Sequence, residues 1–150
     1  MTANRPRIRP IAIAVFRDSD RILVFEGHDP TKRETFYRPL GGGIEFGERA
    51  QDCLAREIRE ELHAEIADVT YVGTLQNIFT CDGQVGHEIV LVYEARLVDP
   101  RLYHLDVLRG QDDGKPFVAL WKSLREFRAG AAPLYPNGLL GFLDGKGTNL

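Results

Sequence analysis

Gly41-Gly42-Gly43-Ile44-Glu45-Phe46-Gly47-Glu48, followed by RAQDCLAREIREEL over residues 49–62, sets four glycines and two carboxylates ahead of a helix. Residues 50–62 are mostly good helix formers, with no Gly or Pro among them. With Ala50 at zero and about 100° per residue, Leu54, Ile58 and Leu62 fall at about 40°, 80° and 120°, a core-facing stripe. Glu57, Glu60 and Glu61 fall at about −20°, −80° and 20°, so they flank or enter that stripe. Arg56, Arg59 and Asp52 lie on the far, solvated side. Glu57 and Glu61 stand at i, i+4, where like charges repel by about 0.2–0.5 kcal/mol on an open helix. Partial burial raises that cost unless something positive is close. Arg56 precedes Glu60 by four positions and can pair with it. A hard divalent cation, Mg²⁺ or Mn²⁺, is the stronger solution, because such ions prefer carboxylate oxygens. The helix alone leaves two readings open: a metal site, or a salt-bridged surface helix.

Glycines before a helix let backbone N–H groups approach a phosphate, or a carbonyl approach a metal, because no Cβ intervenes. A tight strand-to-helix connection uses the same residues. No Gly-Lys-Ser/Thr follows, so this is not a P-loop. No G-x-G-x-x-G opens the helix, so it is not a dinucleotide fingerprint either.

Around this segment the composition is that of a globular protein: 150 residues, 43% hydrophobic, 27% charged, with a formal net charge of −3. That length suits a single domain over 1–150. The mildly acidic balance argues against non-specific nucleic-acid binding, which needs Lys and Arg against phosphates. No apolar run reaches the roughly 18 residues of a membrane span. MTANRPRIRP lacks the apolar stretch of a secretory signal, and residues 1–10, with Arg5, Arg7 and Arg9, are expected to form a flexible arm. Cys53 and Cys81 show no metal-binding spacing, and Cys53 reads as a small buried apolar group. A cytoplasmic location fits this cysteine usage.

IAIAVF (11–16) and RILVFE (21–26) read as strands joined by a turn at Asp18-Ser19-Asp20. GHDPTKRET (27–35) reads as a polar loop, before the short apolar run Phe36-Tyr37 and then Arg38-Pro39-Leu40. VTYVGTLQNIF (69–79) and HEIVLVYEARL (87–97) are further strands. In the second, Ile89, Leu91, Tyr93 and Ala95 share one face while Val90 and Val92 take the other, as in a strand covered on both sides. Residues 99–116 read as a loop, FVALW (117–121) as a last strand, and SLREFRAG (123–130) as a short helix capped by Ser123. A final helical turn is expected after Pro136. These elements describe an α/β domain with a mixed sheet between helices.

Gly42, Glu48, Arg56, Glu57, Ile58, Glu60 and Glu61 fill seven of the nine specified positions of a longer pattern. That pattern, G-x5-E-x7-R-E-U-x-E-E-x-G-U with U a bulky aliphatic residue, is the Nudix box, and the chain resembles the Nudix hydrolases. His63 and Ala64 depart from it. The glycine that His63 replaces suits a left-handed helix cap, a conformation that His tolerates less well. The resemblance implies a Nudix-type α/β/α sandwich, a Mg²⁺ cofactor (Mn²⁺ also serving), and hydrolysis of a diphosphate linkage in a nucleoside diphosphate joined to another group. It implies a nucleotide-like small-molecule substrate, and a homodimer is frequent in the family. Glu57, Glu60 and Glu61 would be catalytic metal ligands, joined by the carbonyl of Gly41 or Gly42, with Glu57 also a candidate to orient or deprotonate the water. Glu48 and Arg56 would form a supporting ion pair that aims the helix. Arg38, just before the glycines, would contact phosphate or be a solvated loop residue, and Gly41 and Gly43 would meet the substrate. A further carboxylate from Glu88, Asp106, Asp112 or Asp113 would complete the site, and Glu45 is a loop carboxylate or a ligand. Tyr37, Phe79 and Tyr135 are candidates for ring stacking or for the core, and Trp121 for the core. The alternative function is a Nudix-fold module that binds a nucleotide-like ligand without cleaving it; loss of a box glutamate would favour it, and all four remain. No SQPWPFPxS-like segment marks the NADH type, no proline follows the box as in many ADP-ribose hydrolases, and Phe79 stands near the place of the diadenosine polyphosphate tyrosine.

Overall fold

In the computed structural model, which describes residues 5–145, eight strands form a mixed sheet. Its order is β5(Ile66–Cys81), β6(Gln84–Leu97), β1(Ile8–Asp18), β2(Arg21–Asp29), β8(Lys115–Ser123), β7(Val107–Asp112). The short strands β3(Glu34–Arg38) and β4(Leu40–Gly43) pair with β2 and β1 respectively. β1 and β6 run parallel, from Ile8↔His87 to Phe16↔Ala95, and the other pairings are antiparallel.

Strand β1 explains the layering. Ile11 through Phe16 are all buried, which a strand achieves only with both faces covered. Ala12, Ala14 and Phe16 face Cys53, Leu54 and Ile58 of helix α1(Ala50–Leu62). Ile11, Ile13 and Val15 pack in a second core with Leu124 and Phe127 of α2(Leu124–Arg128) and Leu139 and Leu143 of α3(Leu139–Leu143). The same split divides β6, with Leu91, Tyr93 and Ala95 on the α1 side and Val90 and Val92 on the other. The result is the expected α/β/α sandwich. Trp121 is buried as expected, stacked on Tyr103 with ring centroids 5.1 Å apart. Ser123 caps α2, accepting from the Arg125 N–H at 3.1 Å.

Several expectations need correction. Ile8, Arg9 and Pro10, expected in the arm over residues 1–10, belong to β1, paired with β6, while residues 1–4 lie outside the described residues. The loop over 27–35 shrinks to residues 30–33, because β2 and β3 pair down to Asp29↔Glu34. Gly41, Gly42 and Gly43 are not the connection into the helix but most of β4, laddered to Ile13, Ala12 and Ile11. The loop over 99–116 holds a 3₁₀ turn, Pro100–His104, and strand β7. β7 closes onto β8 through Asp113-Gly114, both at positive φ, a hairpin turn for which Asp-Gly is well suited.

Helix α1 ends at His63, which takes φ 54° and ψ 38° and sends its N–H to the Arg59 carbonyl at 3.0 Å. The left-handed cap inferred from the sequence is therefore made by a residue with a Cβ, at a cost of about 1 kcal/mol. Ala64 is buried in the core, although smaller than the aliphatic residue it replaces. His63 is exposed, so His63→Gly is expected to raise stability by about 0.5–1 kcal/mol, read from urea denaturation. An unchanged or lowered midpoint would mean that the imidazole makes a stabilising contact.

Candidate active site

The site begins where α1 crosses β4. A Cβ on Gly42 would stand 2.4–2.7 Å from the carboxylate atoms of Glu57, so only glycine lets that carboxylate rest on the strand. The helix is anchored from the other side. Arg56 donates from Nε to Glu48 Oε2 at 2.7 Å, from Nη2 to Glu48 Oε1 at 2.9 Å, and from Nη2 to the Gly43 carbonyl at 3.2 Å. Its Nη1 reaches Glu57 at 3.0 Å and Glu60 at 3.4 Å. Arg56, placed by helical periodicity on the solvated face, is thus folded back over the glycine strand, because its long side chain reaches past its own position. These hydrogen bonds, and the Glu45 backbone N–H, hold Glu48 down at about 2. Cys53 fits under the same strand, its thiol aimed at the Gly42 and Gly43 carbonyls and pushed up to about 12 chiefly by burial. Glu45 is largely exposed: its backbone N–H donates to Glu48 Oε1 at 3.1 Å, and its carboxylate lies 3.8 Å from Arg56 Nη1.

The three helix glutamates meet different surroundings. Glu60 is 60% exposed, Glu57 15%, and Glu61 is buried at 7%. Burial raises the Glu61 carboxyl well above the ordinary range, helped by its hydrogen bond with Glu57 and by the charges of Glu57, Asp112 and Glu60. As the side chains stand, no three His, Cys, Asp or Glu groups among the described residues converge closely enough to hold a metal ion. Glu57 and Glu60 are both turned onto Arg56.

Glu61 opens into a cavity of about 210 Å³, lined also by Gly41, Gly42, Arg38, Glu88 and Asp112. Two of the four carboxylates proposed to complete the site are therefore there, one from β6 and one from the end of β7. Asp106 and Asp113 are exposed and do not line it. Glu88 is buried at 4%; it accepts from Asn77 Nδ2 at 3.3 Å and lies 3.6 Å from Arg38 Nη2. Arg9, assigned by the sequence to the arm, also lines this cavity.

Arg38 borders a second cleft, of about 460 Å³, lined by Phe36, Phe79, Tyr135, Asn77 and Asn137. Phe36 and Tyr135 stand with ring centroids 5.6 Å apart, and Tyr135 donates to Glu34 at 2.8 Å. Phe79 and Tyr135 thus border open space, whereas Tyr37 is buried in the second core. Phe36 was not singled out for stacking. Its alternation with buried Tyr37 on β3, which puts it on the opposite face, is the signal that finds it.

Among solved structures, the chain is similar to a NUDIX hydrolase from Nitrosomonas europaea, 20% identical with a TM-score of 0.64, covering 96% of this chain and 94% of that one. A NUDIX-family hydrolase from Clostridium perfringens is 15% identical with a TM-score of 0.61, covering 92% and 95%. At these identities the likeness concerns the fold. Among curated proteins, the NAD-capped RNA hydrolase NudC of Pseudomonas putida (strain W619) is 41% identical over 69 residues, 46% of this chain and 24% of that protein. The protein of that name from Vibrio vulnificus (strain CMCP6) is 34% identical over 73 residues, 49% of this chain and 27% of its own. The matched segment spans only about a quarter of these curated relatives. A family model described as the NUDIX domain matches residues 6–137, which takes in all eight strands, α1 and α2. The chain belongs to the NUDIX domain family.

Proposed function

We propose that this protein hydrolyses a diphosphate linkage in a nucleoside diphosphate joined to a second group, with Mg²⁺ or Mn²⁺ as cofactor. One observation carries the reading: Glu61, Glu88 and Asp112 share a small cavity with Gly41, Gly42 and Arg38, directly beside an aromatic cleft. That is the chemistry of a site with hard oxygen donors at one end and a place for a flat ring at the other.

The residues present fit a divalent cation. Glu57 rests where a Cβ on Gly42 would stand, and Glu61 is buried against it, two carboxyls that share one hydrogen bond through a proton. A hard cation held there would stand in place of that proton. Glu57, Glu60 and Glu61 would hold it, with the Gly42 carbonyl as a further oxygen donor. When bound, such an ion polarises phosphoryl oxygens and lowers the pKa of a water.

The chain's own residues do the rest. Glu48 and Arg56 fix the helix against β4, so that the glutamates keep their place. Arg38 offers its guanidinium to a phosphate at the junction of cavity and cleft, with Gly41 and Gly43 leaving room for close approach. Glu57 is the candidate to take a proton from the attacking water. Glu88 or Asp112 adds a carboxylate on the opposite wall. Phe36, Phe79 and Tyr135 suit a base or other ring, with Asn77 and Asn137 to read its polar edge. The segment shared with NudC proteins agrees with a nucleotide diphosphate.

The test is turnover of a panel of nucleoside triphosphates, nucleotide sugars, ADP-ribose, dinucleotides and coenzyme A, with Mg²⁺ or Mn²⁺ and with chelator. Metal-dependent release of a nucleotide product is expected from at least one of them. Ligand binding without turnover anywhere on the panel would favour a binding module instead.

A further inference from the structure

Arg9 sits on β1 two residues before Ile11, the partner of Gly43 across the ladder. It lines the cavity that holds Glu61, Glu88 and Asp112, and its Nη2 lies 3.4 Å from where a Cβ on Gly43 would stand. Register places Arg9, Glu88 and Asn77 in one row across β1, β6 and β5. In that row the Glu88 carboxylate is engaged by Asn77 and faces Arg38. Arg9 itself makes no hydrogen bond or ion pair among the described residues, and it is exposed at the cavity mouth.

An unpaired surface arginine is ordinary. The place of this one is not, because the wall beside it carries three carboxylates and the other cation of the cavity, Arg38, is partly neutralised by Glu88. A diphosphate entering there needs a cation whose charge is not already answered. Guanidinium is suited to that role: its planar fork meets two phosphate oxygens at once and stays charged at any working pH. Arg5 and Arg7, also exposed, do not line the cavity.

The geometry points to Arg9 as a phosphate-binding residue, holding the outer phosphate of the substrate at the cavity mouth while Arg38 meets the phosphate next to the aromatic cleft. This rests on the reading of the cavity as a diphosphate site. It orients the substrate: the nucleoside lies in the cleft, and the second group leaves past Arg9 toward solvent.

The probe is methylenediphosphonate, a diphosphate that cannot be hydrolysed, titrated calorimetrically into the folded protein with Mg²⁺. Arg9→Gln is expected to weaken binding about tenfold, the loss of one charge-assisted bidentate contact. Arg9→Lys is expected to recover part of it, keeping the charge but not the fork. Arg7→Gln removes the same charge from the same end of the chain and is expected to change affinity less than about twofold, since an exposed charge off the site acts only through a screened field. Thermal midpoints of the Arg9 variants should match wild type, as a residue with no partner among the described residues requires. Equal affinity in wild type and Arg9→Gln, or an equal loss in Arg7→Gln, overturns the assignment and leaves the hydrolase reading standing. Wild type that turns over the nucleotide panel but binds no methylenediphosphonate also overturns it. Failure on the panel itself counts against the hydrolase reading instead.

Discussion

Glu61→Gln is expected to reduce metal-dependent turnover by about 10²–10³-fold while leaving the fold intact. The two halves of this expectation come from one fact. Glu61 is buried beside Glu57 with Asp112 near, and that environment raises its carboxyl so that it keeps its proton where an ordinary glutamate loses it. A protonated carboxyl and an amide have nearly the same shape, so Gln fills the position and still hydrogen-bonds with Glu57. What Gln cannot supply is a negative oxygen for a cation. The substitution therefore separates the site's chemistry from its packing. It also carries a pH signature with a definite sign. Between the ordinary value of 4.5 and the raised one, the folded chain binds a proton at Glu61 that the unfolded chain has lost. Stability measured in chelator must then fall as pH rises through that window, and the Gln variant must lose that slope. Urea midpoints at several pH values check it. A variant that unfolds at all pH values, or one that retains wild-type turnover, would contradict the role given to Glu61.

Gly41→Ala and Gly42→Ala, one residue apart, are expected to fail in different ways. A Cβ on Gly41 would stand 2.0 Å from the Ala12 carbonyl oxygen and 2.8 Å from the Ile13 Cα, at φ +151°. Both neighbours are backbone of the central strand and cannot step aside, so β4 must leave the sheet. A stability loss of about 3 kcal/mol or more follows, and poor folding with it. A Cβ on Gly42 would meet instead the end of the Glu57 side chain. That carboxylate can swing away, still reaching Arg56, so the fold should lose only about 1 kcal/mol. Turnover should drop by about 10–100-fold, because the displaced group is the one proposed to meet metal and water. Denaturation and activity measured together on both variants check the contrast. Equal effects on both quantities would mean that Gly42 is only a packing glycine.

Much of the site was legible because its determinants are local. Helical spacing alone put Glu57 and Glu61 beside the buried stripe, and glycine at position 42 is what leaves room for the Glu57 carboxylate. The left-handed cap at His63 was legible through the resemblance, because His63 stands where the box pattern has a glycine. What stayed hidden depends on register between distant strands. Which of Glu88, Asp106, Asp112 and Asp113 faces the glutamate helix is decided by how β6 and β7 join the sheet, and local pattern carries no trace of that. Arg9 went to an arm because MTANRPRIRP has too few apolar residues to show a strand; its pairing comes from β6, some eighty residues on. Strand β7 was lost for a different reason. VLRGQD offers only Leu108 to the core, so alternation was too faint, although Asp113-Gly114 marked the hairpin that follows it.

The central claim, that the glutamates of α1 hold a divalent cation against β4, is most directly tested by equilibrium binding of Mn²⁺, followed by its paramagnetic resonance signal. The account predicts saturable binding to wild type, greatly weakened in Glu57→Gln and Glu61→Gln and retained in Asp113→Asn, whose carboxylate stands outside the cavity. Binding that is equal in all four proteins, or no binding to folded wild type with or without a diphosphate present, would contradict it.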